Sequence, residues 1–460
     1  MNFVVHKGLY GQKEPLSNIQ GIWYTFAMKT LPEKFTSRMK AMLGEQYDAF
    51  IAEYDRPPVR GLRANLLKVS TQRLEELCPF ELECADTLEE GFVLRSEVQG
   101  IGTHPYHMAG LFYMQEPSAM AAIEAVEAES GMKILDLCAA PGGKSGGIAA
   151  RMGGEGLLVS NEIVPNRAKT LAFTMERLGV CNAVVTSAHP DALCGALKGY
   201  FDRVVVDAPC SGEGMFRKDD TAIAEWSPEH VTACAQRQQA ILESAYLALA
   251  PGGKLIYSTC TFSPEENEDT VEAFVKAHPD MTVELMHRLY PHTCKGEGHF
   301  IARLVKAGEG STPQKDMKLE PCKDKEYLSF VKETFDEPPK GEAYRLKDGR
   351  IIILRTPLPE GLANIRMLSA GVYAGDVQRG RFIPAHSLFM AEHGGRYRNT
   401  LTLPADSPEL DAYLRGNTVP VSDSMKGYAA VLADGYPVGF GKAVEGTMKN
   451  HLPKGLRIMG

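Results

Sequence analysis

Apolar residues in this chain follow two alternating rhythms. Between about residues 101 and 306, short branched-apolar runs alternate with stretches spaced at three and four residues. Lys133-Ile-Leu-Asp-Leu137, Gly156-Leu-Leu-Val-Ser160, Asn182-Ala-Val-Val-Thr186, Arg203-Val-Val-Val-Asp207 and Lys254-Leu-Ile-Tyr-Ser258 read as strands. Helical spacing covers Asn166 to Leu178 and Pro228 to Leu249. The alternation predicts an α/β fold: a parallel sheet with right-handed crossovers. Upstream, Phe35, Met39, Met42, Leu43, Tyr47, Phe50, Ile51 and Tyr54 predict one helical run opening at Leu31. Arg60-Gly-Leu-Arg-Ala-Asn65 predicts a short strand, and residues 31–100 a small α+β domain. Residues 1–30 show no period and read as a leader. Residues 307–340 are polar and turn-rich, a linker holding a short helix. Beyond 341, strands such as Arg350-Ile-Ile-Ile-Leu354 and Tyr428-Ala-Ala-Val-Leu432 alternate with Gly and Pro turns, which predicts one or two β-rich modules.

Composition narrows the class. Of 460 residues, 44% are hydrophobic and 23% charged, the balance of a soluble globular protein. No apolar run reaches about 18 residues, so no membrane span is expected, and the first residues lack the layout of a secretory signal. Ten cysteines are scattered without CxxC or metal-ligand spacing. Free thiols, a cytoplasmic location and no metal are the expectation. The net charge of -8 is uneven: from Lys340 to Gly460 there are 16 Lys and Arg against 11 Asp and Glu. A basic C-terminal module suits phosphate contact, and ordinary surface variation explains it equally well. Nothing asks for an obligate partner, so a monomer is expected.

Two cysteine segments carry the chemistry. Asp207-Ala-Pro-Cys-Ser-Gly212 and Tyr257-Ser-Thr-Cys-Thr261 each sit where a strand runs out. Ligands of open α/β sheets bind at such strand ends, and a thiolate is a strong nucleophile near neutral pH. A third segment, Asp136-Leu-Cys-Ala-Ala-Pro-Gly-Gly-Lys-Ser145, follows the first strand and opens a helix. Ala139, Ala140, Gly142 and Gly143 keep that turn bare for a ligand at the helix N-terminus. Its spacing matches neither the dinucleotide fingerprint nor a phosphate loop. With Glu162 ending the second strand, where carboxylates accept ribose hydroxyls, the turn implies an adenosine-containing cofactor.

Together these segments resemble the Nop/Sun-type RNA cytosine-5 methyltransferases, and most of all their bacterial RsmF branch, which acts on small-subunit (16S) ribosomal RNA. Tyr113-Met-Gln-Glu-Pro-Ser118, Pro264-Glu-Glu-Asn267, Gly296-Glu-Gly-His-Phe300, Gly435-Tyr-Pro-Val-Gly-Phe-Gly-Lys442 and Lys449-Asn-His-Leu-Pro-Lys-Gly-Leu-Arg457 add to the likeness, which covers residues 31–460. It implies a Rossmann-like methyltransferase sheet, an RRM-like N-terminal domain, a PUA-like C-terminal module and the cofactor S-adenosylmethionine. It implies that Cys138, Ala139, Ala140, Pro141, Gly142, Gly143 and Lys144 wrap the cofactor, that Glu162 holds its ribose, and that Asp207 lies near the methyl group and the base. Arg167 resembles a recurrent family Arg, with a plain exposed helix residue as the alternative. Where the family often has an adenine-contacting Asp, this chain has His189, with Asp191 two residues on. The resemblance makes Cys260 the nucleophile and gives Cys210 the release of product.

Some roles stay open. Lys144 either lowers a thiol pKa or faces solvent. His299 reads as a packing or loop-positioning residue. Phe216, Arg217 and Lys218 suit a base-stacking and phosphate contact, or a solvated loop. Lys449, Lys454 and Arg457 suit phosphate contact, or an exposed charged edge. A DNA cytosine-5 methyltransferase is the first rival, since it would use Cys210 as its only thiol. A non-catalytic RNA-binding factor is the second.

Overall fold

A computed structural model describes residues 30–458 apart from positions 97 and 393. The expected leader lies outside the described residues, except for its last position. In the N-terminal part, β1 (Gly61–Ala64), β2 (Leu82–Cys84), β3 (Gly91–Leu94) and β4 (Phe112–Met114) form an antiparallel sheet in the order β2-β3-β1-β4. The helical run before it is not continuous. Its first α-helix, Glu33–Leu43, ends at Gly44, whose φ of 54° is left-handed backbone, and a 3-10 turn, Gly44–Gln46, leads into the second α-helix, Tyr47–Ala52.

The central sheet has eight strands. Five are parallel: β5 (Lys133–Asp136), β6 (Leu157–Asn161), β7 (Ala183–Thr186), β8 (Phe201–Asp207) and β9 (Leu249–Thr259). β10 (Met281–Leu289) and β11 (His299–Lys306) extend one edge antiparallel. β12 (Met367–Ala370) closes the other edge, antiparallel to β7. The order is β10-β11-β9-β8-β5-β6-β7-β12. Helices cover both faces, so the parallel strands read as unbroken apolar runs; every residue of β6 and β7 is buried. The chain leaves β5 toward β6 and later returns to its other side as β8. The crevice at this reversal of strand order, at the carboxyl ends of β5 and β8, is where open α/β sheets bind ligands.

Two five-stranded sheets follow, with a two-stranded pair of Phe335–Glu337 and Arg396–Tyr397 besides. One is antiparallel and joins Glu320–Pro321, Glu342–Arg345, Arg350–Leu354, Val372–Gln378 and Arg381–Pro384. The other joins Thr400–Leu403, Val419–Pro420, Gly427–Ala433, Tyr436–Val444 and Thr447–Asn450. The helix Lys325–Thr334 packs Tyr327 and Phe330 against Phe382. Among the described residues no helix is long and apolar enough to cross a membrane.

Candidate active site

The glycine turn is built by close packing. Leu137 N donates to Val205 O at 2.9 Å and Ala139 N to Asn161 O at 2.8 Å, stitching the turn to both neighbouring strands. Gly142 has φ 113°, and a Cβ there would stand 2.8 Å from Thr174 Cγ2. Both the backbone and the space demand glycine. The helix Gly143–Arg151 that follows has no side-chain N-cap, so its first N–H groups remain for a ligand. From the N-terminal sheet, Arg63 donates to Gly143 O at 2.7 Å and also to Gln115 Oε1. Burial lowers the Arg63 pKa to about 10. The N-terminal domain thus braces the turn from behind.

Glu162, just past β6, is buried. Its Oε1 accepts from Val164 N at 2.8 Å, and its Oε2 lies 3.2 Å from Arg167 Nη1. Arg167 also donates to Ala140 O at 3.0 Å, so it ties Glu162 to the glycine turn rather than standing free on its helix. His189 caps the helix Pro190–Ala196, its Nδ1 accepting from Asp191 N at 3.4 Å, and its side chain is 63% exposed. Asp191 accepts from Ser244 Oγ. Asn161 shapes this corner by accepting from Thr186 Oγ1 and Ala188 N.

Sequence reasoning passed over Asp136. It is fully buried at the end of β5; Oδ2 accepts from Ser145 Oγ at 2.6 Å and Oδ1 has no partner among the described residues. Burial, with Asp207 adding to it, pushes its pKa up to about 7. A carboxyl whose folded pKa is raised favours folding below its unfolded pKa of about 4, and that support is withdrawn as pH rises toward 7. Between pH 5 and 8 the wild type should therefore lose about 2–3 kcal/mol relative to Asp136→Asn. Urea unfolding of both proteins at the two pH values measures this difference.

Lys144 does not face solvent. Its Nζ lies 2.9 Å from Asp207 Oδ2, and its side chain is 11% exposed. Burial opposes its charge, but Asp207, Asp136 and Cys260 outweigh burial and raise its pKa. Asp207 stands at the end of β8 in register with Ser258 of β9, which donates to Oδ1 at 2.8 Å. Burial would raise the Asp207 pKa, yet Lys144 and His299 hold it below the usual carboxylate value. The ion pair is thus formed at neutral pH.

The two strand-end thiols meet. Cys210 Sγ lies 3.2 Å from Cys260 Sγ. The hydrogen bond to Cys260, then burial, push the Cys210 pKa well up, so Cys210 keeps its proton. Burial also pushes up the Cys138 thiol, consistent with a backbone role in the turn. Two buried carboxylates fix the thiol loops. Glu266 accepts from Ser211 N at 2.9 Å and Gln238 Nε2 at 2.8 Å, with a further bond from Ser211 Oγ. Glu213 accepts from Phe262 N at 2.8 Å, Ser263 Oγ at 2.7 Å and Trp226 Nε1 at 2.9 Å.

Phe216, Arg217 and Lys218 correct the expectation of an RNA-facing patch. Phe216 is 0% exposed, its ring 5.0 Å from that of Phe35 in an aromatic cluster with Trp226. Arg217 is buried, donates to Pro57 O at 2.6 Å and lies 3.3 Å from Glu297, and Lys218 Nζ is 3.8 Å from the same carboxylate. The N-terminal helices cover this loop, and burying the ring against them outweighs leaving it exposed. In the C-terminal module Lys449 and Lys454 are exposed, whereas Arg457 is half-buried and donates to Leu452 O at 3.1 Å.

The crevice therefore combines free helix N–H groups, a bare turn, an unpaired buried carboxylate oxygen and the Glu162 and Asp207 carboxylates. This donor and acceptor set fits S-adenosylmethionine, which carries a cationic sulfonium, an amino-acid group and a ribose diol.

Comparison with known proteins places the chain. The family model for 16S rRNA methyltransferase RsmB/F matches residues 122–305. The model for the N-terminal domain of 16S rRNA methyltransferase RsmF matches 31–117. The models for the first C-terminal domain and the PUA domain of RsmF match 329–391 and 400–458. Ribosomal RNA small subunit methyltransferase F of Vibrio vulnificus is 30% identical across 93% of this chain and 97% of its own length. The protein of that description from Klebsiella pneumoniae is 30% identical, over 92% and 96%. Among solved structures, a methyltransferase homolog protein from Pyrococcus horikoshii is 29% identical with a TM-score of 0.54, covering 60% of this chain and 95% of that one. NSun6 from Pyrococcus horikoshii, solved with SFG, is 22% identical with a TM-score of 0.54 over 60% and 99%, and shares the fold. The cofactor is S-adenosylmethionine. With four family models laid end to end along it and relatives matching nearly its full length, the chain belongs to the ribosomal RNA small subunit methyltransferase F family.

Proposed function

We propose that this protein methylates carbon 5 of a cytosine in small-subunit ribosomal RNA, through a covalent bond between Cys260 and carbon 6, with Cys210 assisting release of the product. The single observation that carries the reading is the pair of thiols 3.2 Å apart beside the Lys144–Asp207 ion pair. Cytosine C5 is too electron-poor to attack a methyl cation equivalent directly. Addition of the Cys260 thiolate at C6 moves an electron pair to C5 and makes it nucleophilic. When bound, S-adenosylmethionine supplies the electrophilic methyl group. The C5 proton then passes to a basic group or water, and the electron pair it leaves re-forms the C5–C6 double bond and expels Cys260 as the thiolate, restoring aromaticity.

Each neighbour has a part in this scheme. Cys210, which keeps its proton, hydrogen-bonds the attacking sulfur and stands within reach of the adduct. Asp207 is positioned to hold the amino and N3 edge of the base, and Lys144 to balance negative charge. Glu162 would hold the ribose, and the turn from Cys138 to Lys144 the amino-acid part of the cofactor. The base must leave its helix to reach the half-buried thiols in the crevice, so a single-stranded or flipped cytosine is required. The exposed Lys449 and Lys454 of the PUA domain suit phosphate contact.

The test is tritium transfer from labelled S-adenosylmethionine to small ribosomal subunits, with bisulfite sequencing of the 16S rRNA from cells with and without the protein. Transfer that coincides with a protein-dependent unconverted cytosine is expected. Binding to subunits without transfer would overturn the reading in favour of an RNA-binding factor.

A further inference from the structure

His299 is placed where packing alone does not account for it. Phe300 on β11 is the register partner of Thr259 on β9. His299 precedes it as the first residue of β11, and Cys260 follows Thr259 just past the end of β9. The imidazole is 2% exposed, and neither ring nitrogen has a hydrogen-bond partner among the described residues. Buried polar groups are nearly always paired, and an orphaned one calls for an explanation. Nε2 stands 3.8 Å from Asp207 Oδ1, beyond hydrogen-bond range, and that oxygen already accepts from Ser258. The ring thus lies beside the nucleophile's strand and the carboxylate, where the target base must enter.

Its charge state sets what it can do there. Burial and then the Lys144 ammonium lower its pKa to about 4, while Asp207 and Glu116 oppose them. At neutral pH the ring is uncharged and a poor proton acceptor, so it offers one donor and one acceptor rather than general-base catalysis. The nearby Asp207 carboxylate favours the hydrogen on Nε2, which leaves Nδ1 as the acceptor.

We propose that His299 Nδ1 accepts a hydrogen bond from the 4-amino group of the target base, and so selects cytosine over uracil. Uracil carries an oxygen at that position, which would meet an acceptor lone pair. A site built to hydrogen-bond one group rejects an analogue lacking it, because its own polar atoms are then left unpaired. The inference rests on the cytosine reading above.

The experiment uses the full-length protein and synthetic RNA hairpins that carry the cytosine located by bisulfite sequencing. The target base is cytosine, uracil or pyrimidin-2-one, which lacks the 4-amino group. On cytosine RNA, kcat/KM of His299→Phe should fall about tenfold or more. On pyrimidin-2-one RNA, wild type and His299→Phe should be nearly equal. His299→Gln, whose amide oxygen restores an acceptor, should recover most of the loss on cytosine, and discrimination against uracil should shrink in His299→Phe. Calorimetric binding of S-adenosylmethionine confirms that each variant is folded. If His299→Phe does not fold, His299→Leu, smaller and likewise without an acceptor, takes its place in the same comparison. An equal loss on cytosine and pyrimidin-2-one overturns the proposal, because it assigns the ring a packing role, and so does a Gln variant no better than Phe. Failure of the wild type to methylate the cytosine hairpin would instead overturn the function proposed.

Discussion

Cys260→Ala should abolish methyl transfer, by about 10⁴-fold or more, while Cys210→Ala should stall with RNA covalently attached. Loss of a nucleophile removes the reaction path rather than weakening one contact, which is why the expected effect is so large. The two thiols touch, but they are not equivalent. Cys210 is pinned as the protonated partner by its bond to Cys260 and by burial, and its loop is locked by Glu266 through Ser211. Cys260 follows β9 and adds to the charge that raises the Lys144 pKa. The readout is a denaturing gel of each variant with labelled ribosomal RNA. A shifted band is expected for Cys210→Ala and none for Cys260→Ala. The reverse pattern, an adduct with Cys260→Ala and none with Cys210→Ala, would assign the attack to Cys210 in the manner of a DNA-type enzyme.

The parts of this site legible in the sequence are those made of neighbouring residues. The strands announced themselves because a sheet covered on both faces needs unbroken apolar runs, as in Val204-Val-Val206. The glycine turn was legible because its close approach to Thr174 leaves room only for hydrogen at Gly142. What stayed hidden depends on distant partners. Phe216 beside Arg217 reads as a base-binding patch until Phe35 and Trp226 close over it. Lys144 reads equally as a cation beside a thiol or a solvent-facing helix residue until Asp207 arrives from β8. His299 reads as a packing or loop-positioning residue because nothing in a linear reading places it beside Asp207 or shows its nitrogens unpaired among the described residues. Asp136 reads as no more than part of the turn, since its burial and unmatched Oδ1 are properties of the folded sheet.

Lys144→Met should be the second most damaging change, through the carboxylate it leaves behind. The substitution keeps side-chain length but removes the cation 2.9 Å from Asp207. Burial already pushes the Asp207 pKa up, and Lys144 is the largest influence holding it down. Without Lys144 the burial effect prevails, and Asp207 gains a proton at higher pH than in the wild type. A depressed folded pKa contributes stability above the unfolded value of about 4 and loses it as pH falls. The variant should lose that contribution, about 2 kcal/mol; this is less than for an enclosed pair because Asp207 is 34% exposed. For catalysis, a missing charge partner at the reacting base should cost about 10²- to 10³-fold in kcat. The acid limb of the pH–rate profile should also move toward neutral. A kcat/KM profile from pH 5 to 9 for both proteins checks the shift, alongside S-adenosylmethionine affinity from calorimetry. An unmoved acid limb would mean that the Lys144–Asp207 pair holds the fold together without tuning the carboxylate that faces the base.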